Sequence, residues 1–263
     1  MQRRSNSCGR DVPERLVSLC STNQKRSTKQ KRSTKPKSSC LKLPRYARGP
    51  PRFVSCLCLT RNRRTWLPKA IACFQSQTHR NAELLILADG EDVRDLVPDD
   101  ARIRLIHLEG PIGIGDKRNF GCMRAAGGAI AHWDDDDHSA PERLADQLRR
   151  LTESGKSVTG YRSMRFTDGE RWWMYAGAVN YALGTSLFYR TEWWRSNRFA
   201  SVQVGEDNQF VANASAQREL VTADAGSLMY ATIHPGNTSP RNKGSSWTLL
   251  SDPGALREKE DKR

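Results

Sequence analysis

No stretch of this 263-residue chain approaches the roughly 20 apolar residues of a membrane helix, so no helical span is expected. The N-terminus is positively charged but has no apolar segment behind it, and a secretory signal is not expected either. Zinc-type spacing is missing. The seven cysteines, at 8, 20, 40, 56, 58, 73 and 122, include no C-x-x-C and no His/Cys ligand pattern. Scattered and odd in number, they read as free thiols of a reducing compartment, which predicts a cytoplasmic body. The glycine-rich stretch at 110–115 has neither Walker A nor Rossmann spacing, which excludes both of those phosphate-binding motifs.

Acidic residues are nearly absent from 1–52, where fifteen Lys/Arg face only Asp11 and Glu14, a net of +13. The whole chain carries +14, so residues 53–263 are left at about +1. The basicity belongs to a tail, and nucleic-acid binding is not expected of the body. The tail is rich in Ser, Thr, Lys and Arg and repeats Gln-Lys-Arg-Ser-Thr-Lys at 24–29 and 30–35. Such composition buries too little apolar surface to offset its ordering entropy, and it reads as a disordered basic tail. Weak, salt-dependent attraction to anionic surfaces is one role it suits; an over-extended reading frame is the other explanation.

From residue 53 the pattern changes. Apolar runs at 53–59, 83–88, 102–107 and 129–133 read as buried strands, and helical spacing at 65–76, 116–126 and after Ser139 separates them. Cys56 and Cys58 alternate along the first strand and so share one face, as small buried hydrophobes. Ser139-x-x-Glu142 predicts a capping box, with Leu144, Leu148 and Leu151 on one helical face. Strand–helix alternation at this spacing implies βαβ units, an α/β fold with a mainly parallel sheet flanked by helices. The second half is less regular. Strands are expected at 158–166, 171–175, 184–190 and 228–233, a short helix opening at Glu192 and a longer one from Gly205 to about Ala216.

The chain's chemistry concentrates at 129–138, where an apolar segment runs directly into Asp134, Asp135, Asp136 and Asp137. Four adjacent carboxylates repel and need a compensating cation unless solvent takes the charge. Their place, between a strand end and a helix start, is where open α/β sheets bind ligands, and carboxylates there suit a hard divalent cation carrying phosphate. Thr60 and Asp89 lie at the ends of the first two strands and face the same edge, although Asp89-Gly90 is also an ordinary turn pair. Lys117 and Arg118 stand at a helix start, where the dipole repels cations unless an anion is bound. His234 ends the last strand and is a candidate ligand beside the carboxylates. Glu206 and Asp207 open a helix, where carboxylates are stabilised in any case. Trp172 and Trp173 are adjacent on a strand, so one of them must face solvent or a cleft; both are candidates for contact with sugar rings.

Taken in order, residues 53–62, 67–71, 77–78, 83–90, 113–121 and 129–144 resemble the family 2 glycosyltransferases of GT-A fold, and 184–190, 205–210 and 234–239 extend the likeness more loosely. The resemblance implies a GT-A-like domain over 53–250, with a nucleotide-binding half at 53–155 and an acceptor and catalytic half at 156–250. A charged C-terminus at 251–263 is expected to fray. It also implies an inverting, metal-dependent transfer of sugar from a nucleotide diphosphate-sugar donor to a carbohydrate or other hydroxyl acceptor. Asp134 and Asp136 match the DXD positions that hold Mn²⁺ or Mg²⁺, His234 a histidine of the metal shell, and Asp207 the general base. Thr60, Asp89, Arg118 and Asp135 match donor contacts; Asp89 is the residue expected at the nucleotide base. Two departures bear on base identity: Thr60-Arg61-Asn62 replaces a usual Tyr-Asn pair, and Ala88 replaces the first of two carboxylates.

Three other readings compete. A nucleotidyltransferase making activated sugars would carry a glycine-rich loop after the first strand, and Thr60–Arg64 contains no glycine. A nucleic-acid or anion binder acting through the tail is opposed by the near-neutral body. A sugar-nucleotide binding module without catalysis is disfavoured by the coexistence of the acidic run with Glu206-Asp207.

Overall fold

The computed structural model describes residue 49, residues 51–238 and residues 243–251. The expected basic tail lies outside the described residues except at Gly49, Pro51 and Arg52; of the C-terminal segment only Ser251 falls within them. All described residues belong to one compact unit. None of its helices is long and apolar enough to cross a membrane.

The first half is built on four parallel strands: β1 (Val54–Thr60), β2 (Ala82–Ala88), β3 (Ile103–His107) and β4 (Ala129–His132), in the spatial order β3-β2-β1-β4. β1 and β2 are near-continuous apolar runs because helices cover both of their faces. On one face Val54, Cys56, Cys58, Leu84 and Ile86 pack under α1 (Leu67–Gln75) and α3 (Arg143–Ser154). On the other, Leu57, Leu85 and Ile130 meet α2 (Ile114–Arg124), α4 (Thr191–Ser196) and α5 (Glu206–Ala216). Cys56, Cys58, Cys73 and Cys122 are buried free thiols, as expected of small core residues.

Beyond β4 the sheet is mixed. A two-residue strand, β5 (His138–Ser139), follows the acidic run. The long β6 (Val158–Thr167) carries β7 (Trp172–Ala176) and β8 (Phe188–Arg190) antiparallel and β9 (Leu220–Asp224) and β10 (Met229–Thr232) parallel. β8 joins β4 antiparallel, which fuses the two halves into one sheet, and β11 (Trp247–Leu249) closes against β7. Strand polarity changes at β4/β8, so the parallel arrangement expected from the βαβ pattern describes the half up to β4.

Two local expectations give way to tertiary contacts. Ser139 does not cap α3: it pairs with Met229 in the sheet and its hydroxyl accepts a hydrogen bond from Arg143 at 2.7 Å. The α3 N-terminus is satisfied instead by Gln77, whose side-chain carbonyl accepts from the Leu144 N–H at 3.0 Å. Residues 184–186 form a 3₁₀ turn, and strand begins only at Phe188.

One glycine shows how tightly α2 is seated. Its second residue, Gly115, donates to the Val202 carbonyl, and a Cβ there would lie 1.7 Å from the Ala200 carbonyl oxygen. Because backbone cannot yield as a side chain does, Gly115→Ala is expected to destabilise the fold by about 1–3 kcal/mol, as overpacking does. Chemical denaturation would measure it as a lower midpoint at unchanged slope.

Candidate active site

The connections leave β1 in opposite directions: β2 follows on one side, and β4 arrives on the other. A crevice therefore opens at the carboxyl ends of β1 and β4, the topological switch point of the sheet. It is a cleft of about 460 Å³. Thr60, Arg118, Asp134, Asp135, Asp136, Glu206 and Asp207, separated by up to 147 positions in sequence, all line it. Asp89, Trp172, Trp173 and His234 are not among the lining residues.

The acidic run begins two residues after the end of β4 and turns at Asp135 and Asp136, and its members diverge. Oxygens of Asp134, Asp136 and Asp137 lie within 4.8 Å of one another, a grouping able to hold a metal ion. Asp135 is 1% exposed, and its Oδ1 accepts from Arg63 Nη1 at 2.9 Å. Burial pushes its carboxyl up to about 6, against the opposing pull of Arg63. Asp137 is tied to the Thr185 hydroxyl and accepts the Thr232 N–H at 3.1 Å; burial, then the neighbouring carboxylates, raises it well above the ordinary range.

Asp136 is the hub. Its Oδ2 accepts from Arg63 Nη1 at 3.0 Å, His234 Nε2 at 2.9 Å and Asn237 Nδ2 at 3.1 Å. His234 Nδ1 accepts the Gly236 N–H at 3.1 Å, which places the ring proton on Nε2, facing Asp136. His234 thus lies directly against the Asp136 carboxylate, and Trp66 stacks on its ring at 4.6 Å. Arg63 also donates to the Gly236 carbonyl. Sequence reading passed over Arg63, Trp66 and Asn237 because nothing local marks them.

Two cations of α2 point into this region, both buried. Arg118 gives Nε to Glu206 at 2.9 Å, and its Nη2 lies 3.7 Å from Asp134. Its Nη1 has no hydrogen-bond partner among the described residues, although the side chain lines the cleft. Lys117 forms an ion pair with Asp89, whose other oxygen accepts the Ile112 N–H at 2.9 Å. The Asp89 carboxylate, 1% exposed, is therefore spent inside the wall.

Asp207 faces the cleft from the first turn of α5. A Cβ on Gly184 would sit 1.6 Å from its Oδ2, so the carboxylate lies directly against that backbone. Burial, followed by the adjacent Glu206 charge, raises its pKa above the ordinary 3.8. Below Gly184, the fully buried His132 donates from Nδ1 to the Gly184 carbonyl at 2.6 Å and lies 3.3 Å from the Tyr189 hydroxyl. Burial and the charge of Arg118 hold His132 well below its usual 6.5. The unfolded chain therefore takes up this proton first, and the stability supplied by the neutral ring is lost as pH falls below 6.5. The expected loss is about 1.4 kcal/mol per pH unit. Measuring unfolding free energy from pH 7 to 5 for the parent and His132→Asn isolates this slope, since the buried carboxylates are common to both.

The tryptophan pair lies elsewhere. Trp172 is half-buried, edge-on to Tyr230 at 5.0 Å, while Trp173 is 6% exposed with the Lys243 ammonium 3.6 Å from its ring centre. Strand alternation does separate the two rings, but neither reaches the cleft.

Comparison with known proteins adds the family. An uncharacterized glycosyltransferase of Rickettsia felis is 37% identical over 100 residues, which is 35% of this chain and 16% of that protein. The chain thus spans well under a quarter of that relative's length. Staphylococcus aureus TarS 1-349 in complex with UDP-GlcNAc superposes with a TM-score of 0.60 at 18% identity, over 71% of this chain and 60% of that one. A mannosyltransferase, PcManGT from Pyrobaculum calidifontis in complex with GDP-Man and Mn²⁺, gives 0.55 at 15% identity, over 70% and 56%. Both likenesses are of fold. Residues 55–217 match the family model described as glycosyl transferase family 2, more than half of the chain, and the chain belongs to that family.

Proposed function

We propose that this chain is a metal-dependent inverting glycosyltransferase that moves a sugar from a nucleotide diphosphate-sugar to an acceptor hydroxyl, carbohydrate or other. The carrying observation is that Asp134 and Asp136, two of the three grouped carboxylates, line one crevice at the strand ends together with Asp207 and the half-used guanidinium of Arg118. The nucleotide sugars bound to the two structural relatives support the same reading.

The donor set fits a hard divalent ion, Mn²⁺ or Mg²⁺, because it consists of carboxylate oxygens only. Asp134 and Asp136 would hold it, with His234, whose Nε2 lies 2.9 Å from Asp136, as the histidine of its shell and Asp137 beside them. Bound there, such an ion supplies charge neutralisation for a diphosphate leaving group. Arg118 adds a fixed positive charge, and Nη1 is free to donate to a phosphate oxygen. Glu206 keeps that guanidinium in place and so acts on the substrate through it. Asp207 takes the acceptor proton as the acceptor oxygen bonds to the anomeric carbon and the bond from that carbon to the diphosphate breaks. One displacement from the face opposite the leaving group inverts the configuration. Residues 53–155 supply the donor side, including Thr60, and 156–250 supply the base.

A thermal-shift screen of nucleotide diphosphate-sugars, with and without Mn²⁺, tests the reading. A donor at about 100 times its Kd adds about 2.7 kcal/mol of stability. One donor class should raise the midpoint with metal and not without it. No shift with any donor in either condition would overturn the proposal.

A further inference from the structure

Each of the three carbonyls of the 184–186 turn is met by a buried side chain from β4 or α3. His132 Nδ1 donates to Gly184 at 2.6 Å, Arg143 Nη2 to Thr185 at 3.3 Å and Gln147 Nε2 to Ser186 at 2.7 Å. A 3₁₀ segment this short satisfies few of its own carbonyls, so distant donors decide how it sits. The turn touches both halves of the chemistry. Gly184 backbone lies against the Asp207 carboxylate, and the Thr185 hydroxyl donates to Asp137 of the carboxylate group. The support under Gly184 has a fixed polarity. A carbonyl only accepts, so His132 Nδ1 carries the ring proton and Nε2 must accept. Its partner there is the Tyr189 hydroxyl at 3.3 Å, which accepts in turn from the Cys122 thiol at 3.3 Å. All three residues are at most 2% exposed. The donors run one way and end on Gly184, which holds the ring in a single orientation.

We propose that His132 is a positioning residue for the base: through the Gly184 carbonyl it sets the wall against which Asp207 rests. It thereby fixes where the acceptor proton is taken relative to the ion-binding carboxylates. The inference rests on the transferase reading above. His132 is fully buried and is not among the residues lining the cleft, so it acts only through Gly184. Without its hydrogen bond the turn can relax away from Asp207 and the base moves. A misplacement of about 1 Å caused from outside the reacting groups can cost about 10²-fold in rate. Donor binding depends on the carboxylates and Arg118, with which the His132 ring makes no hydrogen bond, and is preserved.

The experiment compares His132→Leu, which removes the donor, with His132→Asn, which keeps an N–H near the position of Nδ1. Turnover is read as release of nucleoside diphosphate to water in Mn²⁺, from the donor that the thermal-shift screen selects among UDP- and GDP-sugars. Donor Kd is measured by calorimetry on the same preparations. His132→Leu should lower kcat at least about tenfold with Kd within about twofold, and His132→Asn should return kcat to within about threefold of the parent. Packing alone predicts the reverse order, because Leu fills the buried site better than Asn. Should His132→Leu not fold, a double-mutant cycle decides. Tyr189→Phe, which unties the His132 ring, should cost at least about threefold in kcat in the parent and less than about 1.5-fold in His132→Asn. Parent-like kcat in His132→Leu, an Asn variant as slow as the Leu variant, or an equal effect of Tyr189→Phe in both backgrounds would overturn the assignment and leave the transferase reading intact. A parent that binds donor and releases no nucleoside diphosphate would overturn both.

Discussion

Asp136→Ala is expected to abolish metal-dependent donor binding, with Kd for the donor in Mn²⁺ rising at least about 100-fold. Removing partners one shell further from a metal already costs about 10–100-fold. Two losses combine. The carboxylate group shrinks from three members to two, and one oxygen that accepts from Arg63, His234 and Asn237 disappears, which unties residues 234–237 from the acidic turn. Asp136→Asn separates these effects, because it keeps an oxygen for the loop but lowers the charge available to a cation. Calorimetry with Mn²⁺ should show the amide variant retaining the parent's thermal stability and failing to bind donor tightly. Equal donor affinity for Asp136→Ala and the parent would remove Asp136 from the site.

Asp207→Asn should leave donor affinity within about twofold while kcat falls about 10²–10⁴-fold, the usual contribution of a positioned base. The substitution preserves volume where the carboxylate abuts Gly184, so a folding defect does not confuse the result. The raised pKa of Asp207 adds a second signature. The base works as the carboxylate, so transfer by the parent should decline toward acid with an inflection above 3.8, and the residual activity of Asp207→Asn should lack it. A variant that loses donor binding and turnover together would place Asp207 among donor contacts instead.

Much of this site could be read from the chain because its parts are local. A strand that runs without interruption into Asp134–Asp137 announces a loop at a sheet edge, and Glu206-Asp207 announces a helix start. What stayed hidden depends on partners distant in sequence. Lys117 at a helix start suggested an anion ligand, yet most of its compensation comes from Asp89, 28 positions earlier. Asp89 accordingly occupies the wall rather than the lining. Arg63 reads as one more basic loop residue until folding carries it to Asp135, 72 positions away. Ser139-x-x-Glu142 satisfies the capping pattern, but pairing with Met229 claims Ser139 for the sheet. Likewise β9 and β11 carry weak strand patterns because they pack at the periphery of β6 and β7, where half-exposed positions blur alternation.

Arg63 bears on how the protein is assembled. Its guanidinium bridges Asp135 and Asp136 and reaches the Gly236 carbonyl, so the turn of four adjacent carboxylates carries its own counter-charge. The turn therefore does not depend on an added cation for its shape: three hydrogen bonds from one guanidinium hold residues 135, 136 and 236 together, and a chelator is expected to leave the unfolding midpoint of the protein unchanged.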